Sequence, residues 1–301
     1  METKRLEITM NNGNKLPIIG VGTYLMRDDQ ELKHVIGEAF KIGYRLIGNQ
    51  LHVLSLYTAK VYRNETIIGD IMADLGSYGL KREDVFLTTK LSTANQGRGN
   101  CKKAILEAME NLQVTYLDMV LIHFPGSSKL SPDNPRNAVN RQGSWEDLEE
   151  LYNDGLVKNI GVSNYTIRHL EEMFTYAIVK PAVNQIEVHP LYFDSELIDF
   201  CKDNSIVVQA YSSLGGADGW PVLSKEELLI DLAEKYKKTT AQLLLRWALQ
   251  HKLCIIPKTT KVDNLRINYN LFDFVISSED MKEMDSLSRN QKFCWNSKHV
   301  K

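Results

Sequence analysis

Several side chains that can hold a proton or bind an anion follow short apolar runs of this sequence directly. They end six of these runs and are Lys90, His123, Asn164, Gln185 with Glu187, Tyr211 and Lys258. A single lysine or histidine in such a place is usually a solvated residue, but six runs with this ending form a pattern. Because parallel β-strands present their carboxyl ends at one face of a barrel, we expect these side chains to form one site.

One of these endings predicts a phosphate pocket. Lys258 and Thr259 follow the apolar run that begins at Leu253. A cation and a hydroxyl at a strand end, just ahead of a helix amino terminus, are well suited to bind phosphate. The whole chain carries 36 basic and 38 acidic residues, a formal charge of -2. No overall basic field is therefore expected to hold a nucleic acid or an anionic membrane.

The elements that must position these residues alternate in type along the chain. Eight short apolar runs are separated by amphipathic stretches, a rhythm typical of parallel β/α units. The predicted strands span 17–24, a segment within 44–57, 84–91, 117–124, 157–164, 182–189, 206–214 and 253–259. Eight such units favour a (β/α)8 TIM barrel, an α/β fold, and a doubly wound sheet is the alternative. We expect one domain over residues 1–301.

Composition agrees with a large globular core. The chain has 301 residues, of which 43% are hydrophobic and 25% charged, so disordered and disulfide-stapled classes are excluded. The four cysteines lie far apart, without metal-ligand spacing, and are expected to be reduced thiols. The first ten residues offer no apolar signal core, and no apolar run approaches the roughly 20 residues of a membrane span. We expect a cytoplasmic protein without a membrane or nucleic-acid partner.

Two segments lie outside the β/α rhythm. The opening LEITMNNGNKLPII carries an NNG turn between apolar stretches and predicts a hairpin that could close the amino-terminal mouth of the barrel. Residues 125–143 hold three of the eight prolines and show no apolar period, so we expect an irregular surface excursion there. The next helix is expected to begin near Ser144 and to end at 153–155.

The sequence resembles the aldo-keto reductase family over nearly its whole length. The matching stretches, in chain order, are LEITMNNGNKLPIIGVGTY, TAKVYRNETIIGD, DVFLTTKL, VTYLDMVLIHFP, LVKNIGVSN, PAVNQIEVHP, AYSSLG and IPKTT. The resemblance implies a (β/α)8 barrel that transfers a hydride reversibly between NADPH, or less often NADH, and a carbonyl carbon. It implies a small-molecule carbonyl substrate, and we expect a monomer.

The resemblance also implies catalytic residues. Tyr62 in YRNE matches the family's proton donor, Lys90 the lysine that tunes it, and His123 the histidine that orients the carbonyl. A donor aimed at the carbonyl oxygen stabilises the negative charge that develops as hydride arrives. We expect the Lys90 ammonium to lower the pKa of the Tyr62 phenol. The alternative for Tyr62 is a half-buried aromatic residue before a helix capped by Asn64 and Glu65.

Further positions match the family's binding sites. The cofactor set is Thr23, Ser163, Asn164, Gln185, Tyr211, Ser212, Leu214, Lys258, Thr259 and Asn268. Within it, Tyr211 matches the ring that stacks on the nicotinamide, and Lys258 and Thr259 match residues at the 2'-phosphate. The family's usual arginine near that phosphate is Asn264 here, with Arg266 close by, so NADPH is favoured and NADH stays possible. Tyr24 and Phe124 are expected to wall the substrate pocket.

One stretch departs from the family pattern. The family has a catalytic aspartate five positions before the tyrosine, but residues 48–57 stand in its place and Tyr57 occupies that position. Without this carboxylate, Lys90 should be partly uncompensated in a buried site. If 43–47 remains the second strand, the ten residues form a new loop that could displace Tyr62, and this is the arrangement we prefer. If VLSLY is the strand, Tyr62 keeps its distance from the strand end.

The missing aspartate leaves two functions open. The first is an active NADPH-dependent reductase of aldehydes or ketones. The second is a catalytically silent barrel that binds NADP(H) and has a regulatory or structural role. Near the end of the chain, Phe293 and Trp295 could cover the site or pack against the barrel.

Overall fold

The computed structural model describes residues 7–42 and 54–301 of the chain. An antiparallel hairpin comes first, formed by β1 (Glu7–Thr9) and β2 (Lys15–Pro17). Eight parallel strands follow, and each pairs with the next in chain order. They are β3 (Gly20–Gly22), β4 (Leu54–Tyr57), β5 (Val85–Leu91), β6 (Met119–Ile122), β7 (Ile160–Ser163), β8 (Val183–Glu187), β9 (Val207–Tyr211) and β10 (Cys254–Ile255).

The sheet closes into a barrel where the last strand meets the first. The Ile255 amide donates to the Ile18 carbonyl at 2.8 Å, and the Gly22 amide donates to the Pro257 carbonyl at 3.1 Å. The predicted (β/α)8 barrel is therefore confirmed, and the doubly wound sheet is excluded.

Helices lie between and after the strands. They are α1 (Asp29–Ile42), α2 (Glu65–Ala73), α3 (Asn100–Asn111), α4 (Arg136–Asn153), α5 (Ile167–Phe174), α6 (Ser195–Asp203), α7 (Gly216–Leu223), α8 (Glu227–Lys235), α9 (Thr240–Gln250), α10 (Val262–Tyr269) and α11 (Ser278–Ser286). Their apolar faces pack on the outward side chains of the strands and form the main core. The barrel interior near its carboxyl end is more polar, since Thr88, Lys90, Gln185 and Gln209 are buried there.

The hairpin closes the amino end of the barrel, as the NNG turn predicted. Met10 and Leu16 are buried in a second apolar cluster together with Phe86, Leu121 and Val207, which lie on three different barrel strands. This burial leaves the carboxyl end as the face available for a site.

The second barrel strand is Leu54–Tyr57, so our preference for 43–47 as this strand was wrong. Strand β4 pairs with β3 through Gly22 and Tyr57, and with β5 through Tyr57 and Thr88. Residues 43–53 lie outside the described residues. Because the strand comes from the end of the extra segment, the connection from Tyr57 to Tyr62 keeps its length.

The excursion at 125–143 is only partly irregular, because α4 begins at Arg136 and not near Ser144. Polar contacts stabilise its first turns: the Asn137 side chain accepts from the Ser127 amide at 3.0 Å and donates to the Ser131 carbonyl at 2.9 Å. An apolar period could not reveal a helix stabilised in this way. The predicted end at 153–155 is confirmed, with Gly155 in the left-handed region.

Three further observations concern the described residues. All four cysteines are free thiols. None of the helices described here is long and apolar enough to cross a membrane. Within residues 7–42 and 54–301, no group of histidine, cysteine and acidic side chains is arranged to hold a metal ion.

Candidate active site

Three side chains from neighbouring strand ends meet at the carboxyl end of the barrel. Tyr62 lies on a short helical turn after β4, Lys90 near the end of β5, and His123 directly after β6. The Lys90 amine donates to the Tyr62 hydroxyl oxygen at 3.2 Å. The Tyr62 and His123 rings lie edge to face, with centroids 6.0 Å apart. All three side chains are buried, so a phenol, an amine and an imidazole share one poorly solvated space.

The turn that carries Tyr62 is tied to its surroundings by Asn64. The Asn64 amide donates to the carbonyls of Thr23 and Met26, both at 3.0 Å, and its oxygen accepts from the Thr58 hydroxyl at 2.6 Å. Although Asn64 precedes α2, its side chain does not cap that helix. The amide instead links the turn to the segment after β3, which restricts the position of Tyr62.

Burial determines the pKa of Lys90. Burial lowers its pKa from 10.5 to about 7, and no acidic side chain of the described chain pairs with it. Burial, with the nearby Lys90 charge, also lowers the pKa of His123 well below its ordinary value. The imidazole is therefore neutral at physiological pH, whereas the amine is divided between its two forms.

The expected lowering of the Tyr62 pKa is not found. Burial raises the pKa of the phenol above its ordinary value. The physical reason is that removal from water disfavours the phenolate, and an amine that is itself only partly charged cannot offset this cost. Tyr62 is therefore fully protonated at neutral pH and holds a proton to donate.

A hydrogen-bonded group at the ends of β7, β8 and β9 contains four of the predicted cofactor residues. The Tyr211 hydroxyl donates to Asn164 Oδ1 at 2.7 Å, and Asn164 Nδ2 donates to Ser163 Oγ at 3.1 Å. Ser163 Oγ in turn donates to the Gln185 backbone carbonyl at 2.9 Å. Gln185 Oε1 is buried without a partner among the described residues. A buried acceptor of this kind fits a ligand with an N–H donor, such as a carboxamide.

Three other predicted cofactor residues, Ser212, Leu214 and Thr23, lie outside this hydrogen-bonded group. Ser212 has a left-handed backbone and its hydroxyl lies 3.4 Å from the Cys294 sulfur. Leu214 is half-buried against the main core. Thr23 is buried, and its hydroxyl donates to the Tyr57 carbonyl at 2.8 Å, so this side chain already has a partner within the protein.

The predicted phosphate residues lie before α10. Lys258 is exposed, and the Thr259 hydroxyl accepts from the Lys261 amide at 3.1 Å. Two lysines thus flank a hydroxyl ahead of a helix amino terminus, an arrangement suited to an anion. Asn268 is buried on α10.

Arg266, which lies near the family's usual arginine position, already makes two ion pairs. The Arg266 guanidinium lies 3.6 Å from Glu38 and 3.3 Å from Asp263, whereas Asn264 is exposed and uncharged. Lys258 and Lys261 are exposed cations at this end of α10.

Aromatic side chains flank the three central residues. Tyr24, 47% exposed, packs edge-on to Tyr62 with ring centroids 5.2 Å apart, and Trp295, 49% exposed, packs on His123 at 5.3 Å. Trp295 therefore covers the site. Phe293 packs on His189 at 5.2 Å, away from these residues. Phe124 is half-buried, and a side chain at Gly126 would meet its ring at 3.3 Å.

Buried ionic contacts hold the closing segment that carries Trp295. Glu187 Oε1 accepts from the Phe293 amide at 2.7 Å, and Oε2 accepts from the Cys294 amide at 3.1 Å and lies 2.8 Å from the Lys292 amine. Farther along, Arg141 donates to the Lys301 carbonyl at 2.9 Å. The sequence indicated Glu187 as a strand-end residue but not its contacts with the closing segment, and it did not indicate Arg141. Both residues contact distant parts of the chain, which no local pattern predicts.

A second missed residue is Gln209, which lies inside the barrel on β9. The only signal for it in the sequence is a polar residue within the apolar run IVVQAY.

The excursion at 125–143 contributes to a separate polar pocket of about 340 Å³. Its lining residues are Thr93, Ala94, Gln96, Ser127, Ser128, Leu130, Arg136, Val139 and Asn140. Tyr62, Lys90 and His123 do not line this pocket.

Comparisons with known proteins agree on one family. The model of the Aldo/keto reductase family matches residues 18–289. Glyoxal reductase of Bacillus subtilis (strain 168) is 36% identical over 285 residues, which cover 95% of this chain and 94% of that protein.

Solved structures give the same result. The aldose reductase from Schistosoma japonicum is 34% identical, with a TM-score of 0.82 over 95% of this chain and 93% of the other. A Bombyx mori aldo-keto reductase in complex with NADP is 29% identical, with a TM-score of 0.84 over 96% of this chain and 94% of the other.

Proposed function

Because this chain belongs to the aldo/keto reductase family and is an oxidoreductase, we propose that it reduces aldehydes or ketones to alcohols with NADPH. The observation that carries this proposal is the 3.2 Å hydrogen bond between the Lys90 amine and the Tyr62 hydroxyl, beside the His123 imidazole. It supports the reductase function because the donor and its partner stay together although Tyr57 replaces the family's aspartate.

The residues of this site have distinct tasks in the proposed reaction. When bound, the reduced nicotinamide supplies a hydride to the carbonyl carbon. Because Lys90 donates to the phenol oxygen, the Tyr62 proton is free to pass to the carbonyl oxygen as negative charge develops there. The neutral His123 ring orients that oxygen through a hydrogen bond. A well-placed general acid contributes roughly 100-fold to 10,000-fold to the rate.

Cofactor preference follows from the charges near α10. We propose that Ser163, Asn164, Gln185 and Tyr211 hold the nicotinamide, and that Lys258 and Thr259 hold the 2'-phosphate of NADPH. The exposed Lys258, with Lys261 near the same helix end, supports NADPH over NADH. Asn268 is proposed to contact the adenine, and Thr23, Ser212 and Leu214 complete the set.

The remaining predictions belong to the same proposal. Tyr24 and Phe124 are proposed to wall the carbonyl pocket, and Trp295 to cover it. We propose a cytoplasmic monomer in which residues 1–301 form one domain. No specific observation favours the catalytically silent alternative.

An NADPH-oxidation assay with glyoxal and a panel of small aldehydes tests the proposed function. The wild-type protein should consume NADPH only when an aldehyde is present, and Tyr62→Phe should lose at least about 100-fold in kcat. Tyr116→Phe is the matched control, since Tyr116 lies before β6 at the opposite end of the barrel. Unchanged turnover in Tyr62→Phe would refute the role of Tyr62, and absence of any aldehyde-dependent oxidation would refute the reductase function.

A further inference from the structure

Tyr57 fills a space inside the barrel that its neighbours leave open for an aromatic ring. Its side chain is buried at the end of β4. A Cβ atom on Gly20 would lie 2.3 Å from Tyr57 Cε2, so only glycine at position 20 accommodates the ring. The residue in the family's aspartate position is therefore tightly packed, and its packing directs its hydroxyl across the barrel toward β9.

A chain of side-chain hydrogen bonds connects this hydroxyl to Gln185. Gln209 Nε2 donates to the Tyr57 hydroxyl oxygen at 2.5 Å, and Gln185 Nε2 donates to Gln209 Oε1 at 2.6 Å. All three side chains are buried. The chain crosses from β4 through β9 to β8 and ends at Gln185 Oε1, the acceptor that lacks a partner among the described residues.

The direction of this chain depends on the phenol. An amide side chain has one acceptor oxygen and two N–H donors, so the group that it donates to decides which end its oxygen occupies. The Ser55 and Thr88 hydroxyls lie next to the phenol oxygen, and neither has a hydrogen-bond partner among the described residues. The phenol can donate its own proton to one of these hydroxyls, and its oxygen then accepts from Gln209.

We propose that Tyr57 is a positioning residue that, through Gln209, holds the Gln185 amide with its oxygen free to accept from the nicotinamide carboxamide. This inference rests on the proposed function, because it takes Gln185 as a nicotinamide contact. In this chain the position of the family's aspartate thus serves cofactor orientation and no longer carries an ionic partner of Lys90.

The test compares binding of NADP and of its 3-acetylpyridine analogue, in which a methyl ketone replaces the carboxamide. The analogue has no N–H donor, so it leaves Gln185 Oε1 unpaired, and wild-type protein should bind it about tenfold or more weakly than NADP. In Tyr57→Phe the Gln209 amide loses its acceptor and both amides are free to turn. The ratio of the two Kd values should then fall to about threefold or less. Both Kd values are measured by quenching of tryptophan fluorescence, without turnover.

Two further variants separate positioning from packing. Gln209→Leu breaks the chain at its middle and should reduce the ratio as Tyr57→Phe does, even if one of the two variants folds poorly. Tyr176→Phe also removes a buried hydroxyl, one that lies just after α5 and has no partner among the described residues, and it should leave both Kd values unchanged.

Three outcomes would overturn the inference. Tyr57→Phe and Gln209→Leu could weaken both ligands equally, which would indicate a structural role alone. Both variants could also leave both Kd values at the wild-type level, or the wild type could bind the analogue as tightly as NADP. Absence of NADP binding by the wild type would contradict the proposed function itself, and the role of Tyr57 with it.

Discussion

Glu187 and Lys90 are both buried at the carboxyl end of the barrel, but only Glu187 has an ionic partner among the described residues. Glu187, at the end of β8, is completely buried and accepts from two backbone amides beside its ion pair with Lys292. Lys90, near the end of β5, is also buried but has a phenol as its hydrogen-bond partner. Burial alone would disfavour the charged form of both groups. Their partners therefore account for the difference in their titration.

The pKa values follow this difference. Burial raises the pKa of Glu187, but His189, Lys292 and the Phe293 amide more than compensate and lower it to about 2. Among the described residues, no ionic partner opposes the burial of Lys90, whose pKa is lowered to about 7. The carboxylate stabilises the fold and places Trp295, whereas the amine is kept at a cost to stability. That cost is consistent with a catalytic role.

The largest expected effect comes from removing the Lys90 amine. Below pH 7 both folded and unfolded protein carry the ammonium, so the folded state bears the full cost of burial. Between pH 7 and 10.5 the folded state releases its proton first, and the cost declines. Lys90→Met should therefore raise the free energy of unfolding by up to about 5 kcal/mol at pH 6, and by progressively less toward pH 10.

Urea unfolding of wild type and Lys90→Met at a series of pH values measures this effect. Lys33→Met is the control, because the Lys33 amine is exposed and pairs with Asp29 and Asp70. Equal stability of wild type and Lys90→Met at pH 6 would show that the site provides a partner for the ammonium.

A smaller and opposite effect is expected at Glu187. Its folded pKa of about 2 lies below the ordinary 4.5, so its stabilising contribution is present above pH 4.5 and is lost as the pH falls toward 2. Glu187→Gln should lower the free energy of unfolding by about 3 kcal/mol at pH 7 and by little near pH 2.

Thermal or urea unfolding at both pH values checks this prediction. Glu107→Gln, which removes an exposed partner of Lys60, serves as the control and should change stability little. A loss in Glu187→Gln that is the same at both pH values would argue for a packing effect and against the ionic one.

The smallest expected effect concerns a carboxylate at position 57. Such a carboxylate should give Lys90 an ionic partner, as Lys292 does for Glu187. If turnover needs the Lys90 ammonium, a pKa of about 7 leaves roughly one amine in 100 charged at pH 9, so wild-type kcat should fall about 100-fold between pH 6 and pH 9. Tyr57→Asp should raise the pKa of Lys90 and largely remove this fall.

Measurement at saturating NADPH separates this effect from any change in cofactor binding. Tyr57→Asn has nearly the same shape without the charge and should keep the wild-type pH profile. If Tyr57→Asp and Tyr57→Asn show the same profile, the charge at this position does not control Lys90.

Much of the fold and part of the site could be predicted from local patterns. The alternation of apolar runs and amphipathic stretches predicted the eight β/α units, because strand and helix periods are properties of short segments. The same runs placed Lys90, His123 and Asn164 at strand ends, and the barrel brings their side chains together. The departure at residues 48–57 predicted that Lys90 would lack a carboxylate, and among the described residues its hydrogen-bond partner is the Tyr62 hydroxyl.

Other features depend on contacts between distant residues, which no local pattern encodes. Periodicity could not decide whether 43–47 or Leu54–Tyr57 forms the second strand, because both are short apolar segments and the choice rests on pairing with β3 and β5. The start of α4 at Arg136 depends on polar contacts and was likewise missed.

Residue types and spacing were enough to predict the barrel and to single out Tyr62, Lys90 and His123 as one group of side chains. Packing across the barrel added the contact of Tyr57 with Gln209, which lies 152 positions away, and the contact of Trp295 with His123. The physical reason is that the direction of a hydrogen bond and the cost of a buried charge depend on which groups meet in the closed barrel. Those meetings are set by strand order and register and not by neighbours in the chain.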